Sequence, residues 1–230
     1  MTAPEYLTYR FAGHDEFCLS FGGDSVRRIL IIPPLFDEMN RMRRVLATAM
    51  RDLASRDIGC VLIDLPGCNE SLAPLHEQSL NGWRDAVTAC AEQLDITHIA
   101  SLRGGALIDD GKPALPHWRL APAKGSSLLK TMIRTRIAGE KEAGNSVTEA
   151  AILAQAETEP VELAGNMLGP DMVAQLAISE PAQPPQSTER KLGEDIMGAP
   201  LWLRAEPQDD SAFAANIAAD LNRWSASCGG

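Results

Sequence analysis

Histidine is scarce in this chain and poorly placed for catalysis. The 230 residues contain four, His14, His76, His98 and His117, and none follows residue 117. No H-E-x-x-H pair or clustered His/Asp set is present, so a metal hydrolase is not indicated and no metal is expected. The five cysteines, Cys18, Cys60, Cys68, Cys90 and Cys228, have an odd count and no C-x-x-C spacing. That pattern argues against a zinc site and a disulfide framework, and for a reducing compartment. Long apolar runs are missing too: no stretch approaches the roughly 18 apolar residues of a membrane span. The run from Met1 to Tyr6 lacks the basic-then-apolar order of a targeting segment, so a soluble, cytoplasmic protein is expected. Positive charge is in deficit, with 21 Lys and Arg against 31 Asp and Glu and a net charge of -10, which excludes a general nucleic-acid partner.

What is present suits one α/β domain carrying one insertion, with 45% hydrophobic and 23% charged residues. Tyr6 to Phe11 and Glu16 to Phe21 read as a hairpin around Gly13. Arg28-Ile-Leu-Ile-Ile-Pro33 is a continuous apolar run, as expected of a strand buried on both faces of a parallel sheet. Met39, Met42, Val45, Leu46, Met50 and Leu53 follow at helical spacing. Cys60 to Asp64 with a helix through Leu80, Trp83, Val87, Cys90 and Leu94 repeats the unit. Thr97 to Ser101 with a helix after Arg103 repeats it again. This recurrence predicts a parallel sheet with right-handed crossovers, and Trp118 to Ala121 reads as a fourth strand.

From Gly125 the rhythm is lost. Ser126 to Glu142 predicts a helix, Val161 to Ala164 a short element, Pro170 a helix start, and Glu180 to Glu189 a proline-rich loop. Strand character returns at Pro200-Leu-Trp-Leu-Arg204, and a last helix follows with Phe213, Ile217, Leu221 and Trp224 on one face. The reading is a core over residues 1–124, a helical cap insertion over 125–198, and a C-terminal strand and helix over 199–230.

Open parallel sheets bind ligands beyond the carboxyl ends of their strands, so the segments just after each strand carry the chemistry. Pro33-Pro-Leu-Phe36-Asp37-Glu38-Met39-Asn40 resembles the loop that gives α/β-hydrolases one oxyanion-hole amide, with Phe36 or its neighbour as donor. Equally, Asp37 caps the helix and Glu38 complements its dipole. Asp64-Leu-Pro-Gly67-Cys-Asn69-Glu-Ser71 resembles the hydrolase turn D-x-x-G-x-G-x-S, with Asn69 for the second glycine and Cys68 as a passive thiol. His98 to Gly105 resembles the G-x-S-x-G nucleophile elbow, but Ser101 replaces the first glycine and Arg103 the nucleophile. A guanidinium stays protonated and cannot attack a carbonyl. At a helix N-terminus it is unfavourable unless an anion or a carboxylate answers it. Asp209, after the last expected strand, stands where a triad acid would, or caps the final helix; an Arg103–Asp209 bridge would answer the arginine.

The triad order of this fold ends in a histidine after the acid. All four histidines come too early, and only one helix follows Asp209, so a truncated C-terminus lacking the last strand is expected. Together, Pro33 to Asn40, Asp64 to Cys68, Ser101 to Leu107 and Gly125 to Ala138 resemble the bacterial exosortase A system-associated hydrolases. The likeness covers roughly the central half of the chain and is nearest to the subgroup whose elbow reads Leu-Arg-x-Gly-Ala-Leu. It implies an α/β-hydrolase-like, mostly parallel sheet flanked by helices, and an association with exopolysaccharide and surface-protein export. With Arg103 at the elbow, the chain resembles a degenerate member. The leading expectation is a protein without triad hydrolysis that binds an anionic small molecule, or a protein partner through the cap. The candidate binding residues are Arg103, Leu102, Gly104, Phe36, Glu38 and Asn40. Lys124, Lys130, Arg134, Arg136 and Lys141 make the cap's first helix locally basic, or simply solvated. No cofactor is indicated. The alternatives are an active esterase or thioesterase with an atypical nucleophile, Ser101, Cys68 or Ser71 with Asp209 as acid, and a structural or assembly subunit.

Overall fold

Four short segments are buried along nearly their whole length and form the middle of one sheet: β3 (Arg27–Ile32), β4 (Ile58–Ile63), β5 (His98–Leu102) and β6 (His117–Leu120). Strands covered on both faces favour apolar side chains, which is why β3 from Ile29 and all of β4 read as hydrophobic runs, while β5 and β6 carry the buried polar residues His98, Ser101, His117 and Arg119. In the computed structural model, which describes residues 3–228, they pair in parallel, with Ile29 opposite Cys60 and His98, and Ile99 opposite His117. Met1 and Thr2, the start of the N-terminal run read above, lie outside the described residues.

The expected opening hairpin is β1 (Glu5–Phe11) and β2 (His14–Phe21), which joins β4 antiparallel. The sheet order is β1-β2-β4-β3-β5-β6-β9, where β9 is Ser187–Arg190, parallel to β6. Alternate strand residues feed two cores. Ile29, Ile31, Cys60 and Leu62 pack under α1 (Asp37–Ala54) and α6 (Ser211–Ser227), whereas Leu30, Ile32, Val61 and Ile63 pack under α2 (Leu80–Gln93) and the cap. The α6 stripe of Phe213, Ile217, Leu221 and Trp224 is buried as its spacing implies.

The stretch read as a cap contains α3 (Gly125–Glu142), α4 (Glu149–Ala156), the hairpin β7 (Val161–Leu163) and β8 (Asn166–Leu168), and α5 (Pro170–Ile178). Pro170 opens α5, where a missing N–H costs nothing. Gly169 before it is required by contact: a Cβ there would stand 2.0 Å from the His76 carbonyl oxygen. That approach ties the cap to the loop between β4 and α2.

Two elements differ from expectation. No α-helix follows β5; residues Arg103–Leu107 make only a 3₁₀ turn. Gly104 and Gly105 propagate a helix poorly, and Arg84 Nη2 donates to the Leu107 carbonyl at 2.9 Å, ending the turn. The expected strand at 200–204 is a 3₁₀ turn over Leu201–Leu203, because Pro200 supplies no ladder donor and Leu201 and Trp202 bury sideways against α1. The last strand of the sheet is instead β9, inside the stretch that reads as proline-rich loop and cap. Among the described residues no strand lies beyond it in the sheet order.

Candidate functional site

Two non-glycine residues with positive φ follow adjacent strands at the carboxyl edge of the sheet. Arg103 has φ +53 directly after β5, and Phe36 has φ +58 in the loop between β3 and α1. Such strain persists only where the surroundings hold it. Here the hold is contact: a Cβ on Gly105 would lie 2.6 Å from the Pro33 carbonyl oxygen, and one on Gly104 would lie 2.5 Å from Leu128 Cδ1 of the cap. The sharp turn thus has the shape of an elbow, closed against the β3 loop on one side and α3 on the other.

The Arg103 side chain is answered, though not by Asp209. Its Nε and Nη2 donate to Glu38 Oε2 and Oε1 at 3.2 and 3.3 Å, and Nη1 donates to the Ala121 carbonyl at 3.3 Å. The guanidinium lies 5.1 Å from the centroid of the Trp202 ring. Burial pushes the Glu38 carboxyl above the usual carboxylate range, and the attraction of Arg103 offsets this only in part. Asp209 instead pairs with Arg44 of α1 at 2.9 Å, with both side chains largely exposed. Because 200–204 is not a strand, residue 209 does not stand at a strand end; Asp210 caps α6 through the Phe213 amide at 2.8 Å.

Glu38 and Trp202 also line a cleft of about 290 Å³ between the N-terminus of α1, helix α3 and the 201–205 segment. Its apolar wall includes Leu35, Phe36, Leu128 and Met132. Asp37 accepts from Arg41 Nη2 and from Asn166 Nδ2, each at 3.3 Å, and Arg41 Nη1 donates to the Trp202 carbonyl at 3.0 Å. Arg204, exposed at the cleft, has no ion-pair partner among the described residues.

The remaining candidates are scattered. Leu102 is buried in β5, and Asn40 is exposed on α1 outside the cleft lining. Ser101 is fully buried, with Oγ donating to Asp109 Oδ2 at 2.7 Å. Asp109 in turn forms a fully buried pair with Arg119 at 2.6 Å, and His117 Nε2 meets only its backbone carbonyl, at 2.9 Å. This is a structural network, not a serine–histidine relay. Cys68 is buried, and burial together with the nearby Asp64 and Glu16 carboxylates pushes its thiol up to about 12. Ser71 Oγ accepts from the Gly67 and Ala73 amides at 2.8 and 3.2 Å. His98 and His117 stand at the amino ends of β5 and β6, opposite the elbow. Among the described residues no group of three or more His, Cys, Asp or Glu is placed to hold a metal, and no helix is long and apolar enough to cross a membrane.

Trp202, Arg41 and the Asp109–Arg119 pair went unread in the sequence. Arg119, a lone charge inside the apolar strand Trp118 to Ala121, was the available signal that a buried acid had to exist.

No protein-family model and no curated protein matches the sequence. Solved structures do match the fold. Est1E from Butyrivibrio proteoclasticus with ferulic acid bound superposes with a TM-score of 0.52 at 12% identity, over 81% of this chain and 77% of that one. A protein from Agrobacterium vitis S4 described as a hydrolase gives 0.47 at 16% identity, over 76% and 71%. Epoxide hydrolase VrEH1 from Vigna radiata gives 0.42 at 15% identity over 51% of this chain, which spans only 40% of the epoxide hydrolase's length. The architecture is that of the α/β-hydrolase fold, and at these identities the likeness carries the fold alone.

Proposed function

We propose that this chain is an α/β-hydrolase-like protein that performs no triad hydrolysis and binds a small anionic molecule with an apolar body in the cleft beside the elbow. The observation that carries this reading is the charge pattern around Arg103. Glu38 answers Arg103 and Asp37 answers Arg41, so the elbow and the start of α1 are internally balanced. Arg204 is then the cation left over at the cleft among the described residues, beside Trp202 and Leu203. A carboxylate or phosphate meeting Arg204 would place its apolar part along Leu128 and Met132. Arg103 itself acts as a positioning residue, holding Glu38 and Trp202 in the wall rather than receiving the ligand. The motifs shared with exosortase A system-associated hydrolases support a role in an exopolysaccharide- or exosortase-associated process, and five free thiols fit a reducing compartment.

The test has two arms. Acyl esters and thioesters of short and long chain should show no turnover above an Arg103→Ala control. A thermal-shift screen of carboxylates and sugar phosphates should give stabilising ligands whose effect is lost in Arg204→Ala and in the cleft-filling variant Met132→Trp. Turnover abolished by Ser101→Ala, or stabilisation unchanged in both cleft variants, overturns the reading.

A further inference from the structure

Four acidic side chains are buried among the described residues: Glu16, Asp64, Asp109 and Asp220. Three are answered by arginine, Asp64 by Arg43 at 2.7 Å, Asp109 by Arg119 at 2.6 Å and Asp220 by Arg190 at 2.7 Å. Glu16 is the exception. It is 1% exposed, and its Oε2 has no hydrogen-bond partner. A buried carboxylate without a counter-charge is costly, and a native fold retains one chiefly where something else supplies the partner.

Glu16 lines a separate cavity of about 250 Å³ between the β1–β2 turn and the loop after β4, sharing no residue with the elbow cleft. Residues 14 and 16 fall on one face of β2, so His14 and Glu16 both line the cavity, His14 exposed and Glu16 buried, and the exposed Glu77 lines it as well. Phe11, Pro66 and Pro74 supply apolar walls. Those walls are braced, because Trp83 Nε1 donates to the Pro66 carbonyl and Gln78 Nε2 to the Pro74 carbonyl, both at 2.9 Å. A metal ion would want several oxygens converging on one point. One deep carboxylate behind apolar walls, with a second at the rim, suits a cation carried on carbon.

We propose that this cavity binds an organic cation, a primary ammonium or guanidinium on a short apolar stem, with Glu16 as its buried counter-charge and Glu77 as the rim charge. The stem lies along Phe11 and Pro74, and the charged head meets Glu16. A free amine and a lysine or arginine side chain of a polypeptide share this chemistry.

The experiment titrates the whole chain with n-butylammonium, n-butylguanidinium, n-butanol, and the lysine analogue Nα-acetyl-lysine N-methylamide, following backbone amide shifts at residues 14–17, 73 and 75–78. The cations should give saturable shifts there and n-butanol none. Glu16→Gln should weaken binding at least about tenfold, and Glu77→Gln about two- to fivefold. Stronger binding of the lysine analogue than of n-butylammonium assigns the site to a polypeptide side chain, and the reverse to a free amine. Equal binding by n-butanol, undiminished binding in Glu16→Gln, or no saturable shift with any cation overturns the proposal. Should Glu16→Gln fail to fold, the butanol comparison and Glu77→Gln decide it.

Discussion

Arg103 and Glu38 lie 65 residues apart and meet in a forked pair, Nε to Oε2 at 3.2 Å and Nη2 to Oε1 at 3.3 Å, at the position where a nucleophile stands in this fold. The arginine is held on its other side by the Ala121 carbonyl and the Trp202 ring. A fixed positive charge at a strained φ of +53 is thereby neutralised within the protein, and the elbow becomes a wall.

The two members of that pair should not be equivalent. Burial already disfavours ionised Glu38, so removing Arg103 leaves a carboxylate with little to compensate it. Arg103→Met should cost about 2 kcal/mol at neutral pH, whereas Glu38→Gln, which keeps an acceptor, should cost less than about 1 kcal/mol. Arg103→Met/Glu38→Gln should therefore be more stable than Arg103→Met alone. Urea unfolding of the three variants measures this, and a double variant less stable than both singles contradicts it.

Acid titration should separate two carboxyls with opposite signs. Glu38 is raised above its ordinary 4.5, so the native state keeps that proton longer, and its contribution to stability falls as pH rises from 4.5 through the raised value. Burial pushes Asp220 upward too, but the donors Trp118 Nε1 at 2.8 Å and Arg190 Nε at 2.7 Å outweigh it and hold the group below its ordinary 3.8. Its contribution is present above 3.8 and is lost as pH falls toward the depressed value. Relative to wild type, Glu38→Gln should gain stability as pH rises from 4.5, and Asp220→Asn should recover ground as pH drops below 3.8, both read by unfolding free energies.

Two aspartates that sequence order alone cannot rank should differ sharply. Asp109→Asn removes the carboxylate paired with a fully buried Arg119 and should cost about 3–5 kcal/mol. Ser101→Ala, which deletes one hydrogen bond to the same carboxylate, should cost about 1 kcal/mol. Asp209→Asn loosens an exposed pair and should cost less than about 1 kcal/mol. Thermal melts rank the three; a large effect at Asp209 would mean it does more than the structure assigns to it.

The sheet's interior was legible because burial on both faces leaves no polar position to blur a strand such as Ile58–Ile63. The edge was not: Ser187–Arg190 is four residues of mixed polarity, and polar, short edges are how sheets avoid pairing with other chains. Leu201 and Trp202 misread as strand because apolar residues after Pro200 look alike whether they bury into a sheet or against a helix. At the site, the cost of an isolated Arg103 pointed to an answering carboxylate. Choosing Glu38 over Asp209 required the tertiary placement of α1, which no spacing within either segment encodes.

Thiol reactivity distinguishes a passive Cys68 from a nucleophile. Cys18, Cys60, Cys68 and Cys90 are buried, and Cys228 alone is partly exposed. Burial raises the Cys60 thiol, and burial with the Asp64 and Glu16 carboxylates raises Cys68 to about 12. A thiol disulfide reagent needs both access and thiolate, and both are lacking at Cys68. At pH 8 the folded chain should release about one equivalent quickly, lost in Cys228→Ser, and the remaining four only at the rate of unfolding or local opening. The Cys68→Ser variant should leave the fast phase unchanged. A second fast equivalent that disappears in Cys68→Ser would show that the loop after β4 opens in solution, and would return Cys68 to consideration as a nucleophile.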